Sequence, residues 1–389
     1  RFARVRLADR CRVPLREQLT MLCLPCKGDD GDLADNLQGF FAQQHPNYQL
    51  VFIVESRDDP AYAVIERERR RFPEVASEIV VAGVASEHGQ KVHNLLAATE
   101  NIAADVEVLA FADADILPDP DWLHTLTTAW KDTWKPLAVT GYRWLVPEKG
   151  SLINFILYSI NSTTAGLLGR WSSRILIWGG SWSILRDNFD QWQLRKAWQR
   201  TLSDDLVATR HIDKCGDKIV YDPRCLSISR FNMNWAGALE FMRRQYLIAR
   251  KYTPRVFWPG YLVLLVCVSG WWGLVALAAV NAGNSFGWLY VAGAGAIYLA
   301  NVIKGVLRQS VFRARNKQIF QQNRAAAAFD IFCWPIVASL MLLIVTISIP
   351  GNRICWRGNQ YLIKRGGEIE LLNPASAANQ ELSPQNKAA

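Results

Sequence analysis

The chain has 389 residues, half of them hydrophobic and a fifth charged, and a formal net charge of +9. That length accommodates a full α/β domain and something more, and a mean hydropathy near zero fits a soluble half averaged with a lipid-facing half. The basic excess clusters beside apolar runs, which argues against nucleic acid as a partner and for an anionic lipid surface.

The opening RFARVR, without a Met, reads as the basic flank (residues 1–17) of a preceding membrane helix or as an ordinary basic terminus, and no signal peptide is visible. From residue 18, strand-like runs alternate with helical patterns. QLTMLCLP leads to DLADNLQGFFAQQH, YQLVFIVE to PAYAVIERERRRF, EIVVAGV to HNLLAATENIA, and EVLAFAD to DWLHTLTTAW, with LAVTG following. This predicts a mostly parallel sheet with helices on both faces, within a domain over 18–255. Cys23 and Cys26 form a Cys-x-x-Cys pair, but the further ligands of a zinc site and the helix of a redox site are not apparent in the sequence. Cys23 therefore reads as a small buried side chain, and the scattered cysteines suit a reducing compartment.

Open α/β sheets bind ligands at the carboxyl ends of their strands. The segments expected there are PCKGDD, ESRDDPA, GQKVHNL and FADAD. In FADADILPDPDWL, Asp113 and Asp115 follow a β-branched, aromatic run, and their carboxylates are hard oxygen ligands for Mg²⁺ or Mn²⁺, which could bridge a diphosphate. A solvated turn explains the pair equally well; Asp119 and Asp121 read as caps or first-turn acids of the following helix. No Gly-x-Gly-x-x-Gly turn is present, which speaks against a dinucleotide-dependent dehydrogenase.

The segment 152–178 mixes apolar residues with Ser, Thr and Asn, and suits either an interfacial amphipathic stretch or helices packed on the sheet. Gly179 and Gly180 would let backbone approach a ligand, and Asp204 and Asp205 sit like a helix start. Arg243 and Arg244 are candidate phosphate ligands or membrane-surface charges. Three apolar runs follow, at 256–280, 286–303 and 327–349, making 256–349 a transmembrane region of about three helices. The stretch 304–326 between the last two is basic, with Lys304, Arg308, Arg313, Arg315, Lys317 and Arg324, and reads as a cytoplasmic loop. Three crossings would leave the basic tail that opens residues 350–389 outside, unless one run is re-entrant or interfacial; beyond residue 373 the tail is polar and expected to be disordered.

Taken in order, PCKG, DDPA, GQKVHNL, FADAD, TGYRW, WGGSW, SDDL and RRQY, ahead of the apolar runs and followed by WRGNQYLIKRGG, resemble the ceramide glucosyltransferase family over roughly residues 18–365. The resemblance implies a membrane-anchored GT-A glycosyltransferase, Rossmann-like in its nucleotide-sugar domain. It implies transfer from a UDP-sugar to a lipid hydroxyl at the cytoplasmic membrane face, with inversion and a divalent cation. By motif, Asp59 would be the first nucleotide-binding acid, with Glu55 and Lys91 near the uridine. Asp113 would meet the nucleotide-sugar and Asp115 the metal, while Asp205 would be the general base beside Asp204. Arg244 would help to neutralise the diphosphate. Aligning the family's pre-membrane Arg on Arg244 puts Phe241 and Gln245 at the outer positions, so the Trp of that pattern is absent.

The leading expectation is thus transfer of glucose from UDP-glucose to ceramide or diacylglycerol. Alternatives are UDP-N-acetylglucosamine or another UDP-sugar with a hopanoid-like lipid, a processive polysaccharide synthase, and a membrane scaffold carrying a degenerate transferase domain.

Overall fold

The computed structural model describes residues 18–29, 31–128, 138–167, 175–214 and 219–373. The flank expected at 1–17, residues 168–174 of the expected interfacial segment, and the tail beyond 373 lie outside these residues.

The first half of the chain alternates strand and helix: β1 (Leu19–Pro25), α1 (Leu33–Phe41), β2 (Tyr48–Val54), α2 (Pro60–Arg71), β3 (Ser77–Val81), α3 (Gln90–Ala98), β4 (Val106–Ala112), α4 (Trp122–Thr128) and β5 (Ala138–Pro147). Then come α5 (Leu152–Leu167), β6 (Ser181–Leu185), α6 (Arg186–Gln191), α7 (Leu194–Trp198), α8 (Asp204–Lys214) and β7 (Ile219–Phe231). The strands form one sheet in the order β3-β2-β1-β4-β6-β5-β7. β3, β2, β1 and β4 run parallel, whereas β6 is antiparallel to both β4 and β5. The α/β architecture is the expected one, and the departure from a mostly parallel sheet lies in its second half. Leu22, Leu24, Val51, Phe52, Leu109 and Phe111 are all essentially inaccessible. Burial on both faces is what such continuous apolar runs require. Cys23 and Cys26 are buried, unpaired thiols, and burial pushes both up.

The remaining elements are α9 (Trp235–Tyr252), α10 (Pro254–Val280), α11 (Gly287–Arg315), α12 (Lys317–Gln322), α13 (Arg324–Phe332), α14 (Trp334–Ile347), β8 (Arg353–Trp356), β9 (Asn359–Ile363) and β10 (Ile369–Asn373). The chain divides into two compact units. The α/β unit takes the described parts of 18–144 and 168–230 together with 352–373, and the helical unit takes 145–167 and 231–351. The units interleave, where the sequence suggests consecutive blocks at 18–255, 256–349 and 350–389.

In the helical unit, α10 and α11 are long and apolar enough to cross a bilayer. Two of the three expected spans are therefore single helices. The stretch 304–326, expected as a loop, is helical for much of its length: α11 carries Lys304, Arg308, Arg313 and Arg315 on its last turns. The third run is broken at Cys333, where α13 and α14 meet at a bend of 80°. α5 packs on α9, α11, α13 and α14, so this part of 152–178 belongs with the apolar helices and not with the sheet. Asp330 of α13 is buried among these helices. It accepts hydrogen bonds from Arg308 Nη2 at 2.7 Å, Gln309 Nε2 at 2.7 Å and Ser162 Oγ at 3.0 Å, so its charge is paired and its lone pairs are used.

Candidate active site

The carboxyl ends of β1, β2 and β4 and the amino ends of α3 and α8 converge in the α/β unit. β4 ends at Ala112, so Asp113 is the first residue free of the strand, and its N–H donates to Gly180 O at 3.4 Å. Lys91, on the first turn of α3, reaches into this corner. Its Nζ lies 2.6 Å from Asp113 Oδ1, 3.5 Å from Asp204 Oδ1 and 3.2 Å from the Gly179 carbonyl. Burial opposes the ammonium charge, but Asp113, Asp204 and Asp205 outweigh it and hold Lys91 protonated.

Asp204 and Asp205 open α8. Asp204 is buried, its Oδ2 has no hydrogen-bond partner, and its carboxyl is pushed up to about 7 by burial and by its acidic neighbours, against the pull of Lys91. Asp205 is half-buried and tightly oriented. Its Oδ2 accepts the Gly179 N–H at 2.8 Å, and its Oδ1 accepts the Leu206 N–H at 2.7 Å and the Ser203 hydroxyl. The Gly179–Gly180 turn has no room for side chains. A Cβ at Gly179 would lie 2.9 Å from Lys91 Nζ and 3.1 Å from Asp205 Oδ2; one at Gly180 would overlap the Trp178 ring and lie 2.7 Å from Asp113 Oδ2. The glycines thus make space for the side chains around them.

Asp115 lies near Arg143, with 3.4 Å between its Oδ2 and the guanidinium, which also sits over the Trp178 ring. Its Oδ1 is buried without a hydrogen-bond partner. Burial, followed by Asp113, pushes the Asp115 carboxyl up to about 6, against the pull of Arg143, Arg357 and Lys91. Two neighbouring carboxylates, one with an orphaned oxygen, fit a divalent cation that takes its other ligands from water and a diphosphate. Among the described residues, no group of three or more His, Cys, Asp or Glu side chains gathers to hold a metal, so the protein would supply only part of the coordination shell.

Asp59 caps α2, its Oδ1 accepting the Ala61 N–H at 2.9 Å and the Gly28 N–H at 2.7 Å. Glu55 pairs with Lys27 at 2.6 Å. The structure therefore brings Lys91, Asp113, Asp204, Asp205, Gly179 and Gly180 into one cluster, with Asp115 beside Asp113 and with Asp59 and Glu55 on the neighbouring strand-end loops. Arg244 belongs to the helical unit, where it is buried on α9 with its guanidinium over the Phe241 ring. Asp119 and Asp121 open α4 through backbone carbonyls that accept from Trp122 and Thr125, as expected of helix-start residues. The sequence alone does not single out Arg143 and Ser203 as site residues; TGYRW holds the first, and the second immediately precedes the acidic pair.

Comparison with known proteins assigns the family. The model of glycosyl transferase family 21 matches residues 10–369. Ceramide glucosyltransferase 1 of Caenorhabditis elegans is 22% identical over 196 residues, covering 50% of this chain and 42% of the relative. Ceramide glucosyltransferase 3 of the same organism is 26% identical over 116 residues, covering 30% and 25%. The matched stretches thus span less than half the length of these relatives. Among solved structures, the mannosyltransferase PcManGT from Pyrobaculum calidifontis in complex with GDP-Man and Mn²⁺ covers 84% of this chain and 86% of its own at 12% identity, with a TM-score of 0.45. With a family model matching nearly the whole chain, the protein belongs to glycosyl transferase family 21.

Proposed function

We propose that the protein is an inverting, cation-dependent hexosyltransferase that moves glucose from UDP-glucose to a membrane lipid hydroxyl, such as that of ceramide or diacylglycerol. The observation that carries this reading is the convergence of Lys91, Asp113, Asp204 and Asp205 on the Gly179–Gly180 turn in a family 21 chain. Membership of the family and the named activity of the curated relatives support glycosyl transfer and a lipid acceptor. The two long apolar helices support action at a bilayer, and the basic clusters before α10 and at the end of α11 favour its cytoplasmic face.

In this reading Asp59, Glu55 and Lys91 bind the nucleotide end of the donor, and Asp113 the nucleotide-sugar. Asp115, with Asp113, would hold Mn²⁺ or Mg²⁺, whose charge stabilises the departing diphosphate when bound. Gly179 N–H, Ser203 and Leu206 N–H orient Asp205, whose carboxylate takes the proton of the acceptor hydroxyl. The hydroxyl oxygen forms a bond to the anomeric carbon as the bond from that carbon to the diphosphate breaks, giving inversion in one displacement. This differs from a retaining glycosidase, which needs a second carboxylate as nucleophile.

The test is radiolabel transfer from a panel of UDP-sugars into total lipid by membranes containing the protein, with and without chelator. Labelled lipid that disappears on chelation supports the reading and names the donor. Label from UDP-N-acetylglucosamine alone would replace the donor, and no label from any donor would overturn the proposal.

A further inference from the structure

The C-terminal strands β8, β9 and β10 belong to the α/β unit and are fastened to the end of the sheet that holds the candidate site. Ile369 N–H donates to Arg200 O at 2.8 Å, and Arg210 Nη1 donates to Gly366 O at 2.7 Å. Tyr361 is buried, and it interacts with the backbone of Gln90 at the start of α3. Trp356 pairs with Asn359, so Arg357 and Gly358 are the two central residues of the β8–β9 turn, with φ of 46° and 81°. Positive φ at both positions is the geometry of a type I′ turn, whose first position favours Asn, Asp or Gly. An Arg there adopts a backbone that its side chain disfavours, and strain of this kind clusters at functional sites.

That side chain points to the strand ends. Arg357 Nη1 donates to the Lys27 carbonyl at 3.1 Å, and a Cβ at Gly28 would lie 4.0 Å from the same nitrogen. Gly28 is the residue whose N–H is held by Asp59. The other cations here are engaged with acids: Lys27 with Glu55, Lys91 with Asp113 and Asp204, and Arg143 with Asp115. Among the described residues, Arg357 has no carboxylate within ion-pair distance, and its one hydrogen bond leaves further N–H groups of the planar fork to meet an anion. Its field reaches Asp115, consistent with a place beside the candidate cation site.

We propose that Arg357 binds the diphosphate of the nucleotide-sugar donor, which makes the β8–β9 turn part of the donor site. This rests on the nucleotide-sugar reading above. A guanidinium matches two phosphate oxygens at once, and it would add positive charge where the leaving group develops its own.

The test exploits the turn. Arg357→Asn removes the guanidinium while installing a residue that a type I′ turn prefers, so the thermal midpoint of the full-length protein is expected to hold or rise. UDP and UMP are titrated against wild type and variant in the presence of Mn²⁺. The expected result is a loss of about ten- to a hundredfold in UDP affinity, the worth of one charge-assisted hydrogen bond to an anion, with UMP affinity unchanged and part of the loss restored by Arg357→Lys. UDP affinity equal to wild type, or equal losses for UDP and UMP, would overturn the proposal. Failure of the wild type to bind UDP, GDP, CDP or dTDP would overturn the donor reading itself, an outcome separable from the failure of Arg357.

Discussion

Replacing Asp205 by Asn is the usual way to remove a base while keeping its shape, and here its structural cost follows from the hydrogen bonds. Both carboxylate oxygens accept from backbone: Oδ2 from Gly179 N–H and Oδ1 from Leu206 N–H. A carboxamide has one acceptor oxygen, so in either orientation its NH₂ faces a backbone N–H. An abandoned buried N–H costs about 1–3 kcal/mol. The two orientations are unequal, because Leu206 N–H has a second acceptor in Ser203 Oγ at 3.3 Å. The carboxamide therefore keeps its oxygen on Gly179 and leaves Leu206 to Ser203, which places the cost near the lower limit, about 1 kcal/mol. For a domain of this size that is a fall of about 2–4 °C in thermal midpoint. UDP affinity should stay within a few-fold of wild type, and transfer of sugar to lipid should fall by at least about a hundredfold, the contribution of a positioned general base. Midpoint, UDP titration and radiolabelled lipid product are measured on the same preparation. Asp204→Asn is the comparison: this carboxyl is already pushed up to about 7, and an amide resembles its neutral form. Lipid product from Asp205→Asn within a few-fold of wild type, or a larger loss from Asp204→Asn, would refute the assignment of the base.

Asp59→Asn should be structurally silent, because Oδ1 alone accepts both Gly28 and Ala61 N–H groups and an amide oxygen can do the same; Asp59→Ala should lose about 1 kcal/mol as a deleted N-cap, and both should weaken UDP binding if Oδ2 faces the nucleotide. Gly180→Ala drives a methyl into the Trp178 ring and should cost about 1–3 kcal/mol in thermal unfolding with loss of UDP affinity; an unchanged midpoint and affinity would show that the turn can open. Asp330→Asn strips the counter-ion from Arg308 inside the helical unit and should cost about 3–5 kcal/mol, whereas Arg308→Met with Asp330→Leu should recover part of it in detergent-solubilised protein; additive losses would show that the pair is not a unit.

The parts legible in the sequence are those with a clean period or a punctuating residue. β1, β2 and β4 are continuous apolar runs between turns. The cap Asp59 with Pro60 fixes the start of α2, and Asp113 stands where β4 must stop. β6 and β7 are not legible, for a physical reason. Ser181, Ser183, Ser227 and Ser229 are buried in them, and Asp222, Pro223 and Arg224 interrupt β7, so neither segment shows a continuous apolar run. The candidate site is legible as residues and not as a geometry. Motif alone puts Lys91 near the uridine, but its pairing with Asp113 and Asp204 depends on α3 and α8 meeting over a separation of more than a hundred residues. The same limit hides Arg357, whose neighbours Lys27 and Gly28 lie at the other end of the chain.

The C-terminal strands also constrain the path of the chain through the membrane. Because Arg357 and Ile369 hydrogen-bond to Lys27 and Arg200, the segment after the apolar helices must emerge on the side of the bilayer where the α/β unit lies. The number of crossings between residues 255 and 352 is therefore even. α10 and α11, of 27 and 29 residues, each exceed the roughly 30 Å of a bilayer's hydrocarbon core at about 1.5 Å per residue. α14, with 14 residues, reaches only about 21 Å and meets α13 at 80°, so neither half of the bent pair crosses alone. We predict two crossings, which satisfy the parity, with the bent pair re-entrant or interfacial; this would remove the conflict between three spans and a basic tail. Single cysteines introduced at Asn284, between α10 and α11, and at Asn352, after α14, test this in sealed inside-out vesicles of a variant whose native cysteines are replaced and whose activity is retained. An impermeant thiol reagent should label position 352 and spare 284 until detergent is added. Labelling of both positions or of neither before detergent would put 284 and 352 on one side of the bilayer and would overturn the two-crossing path.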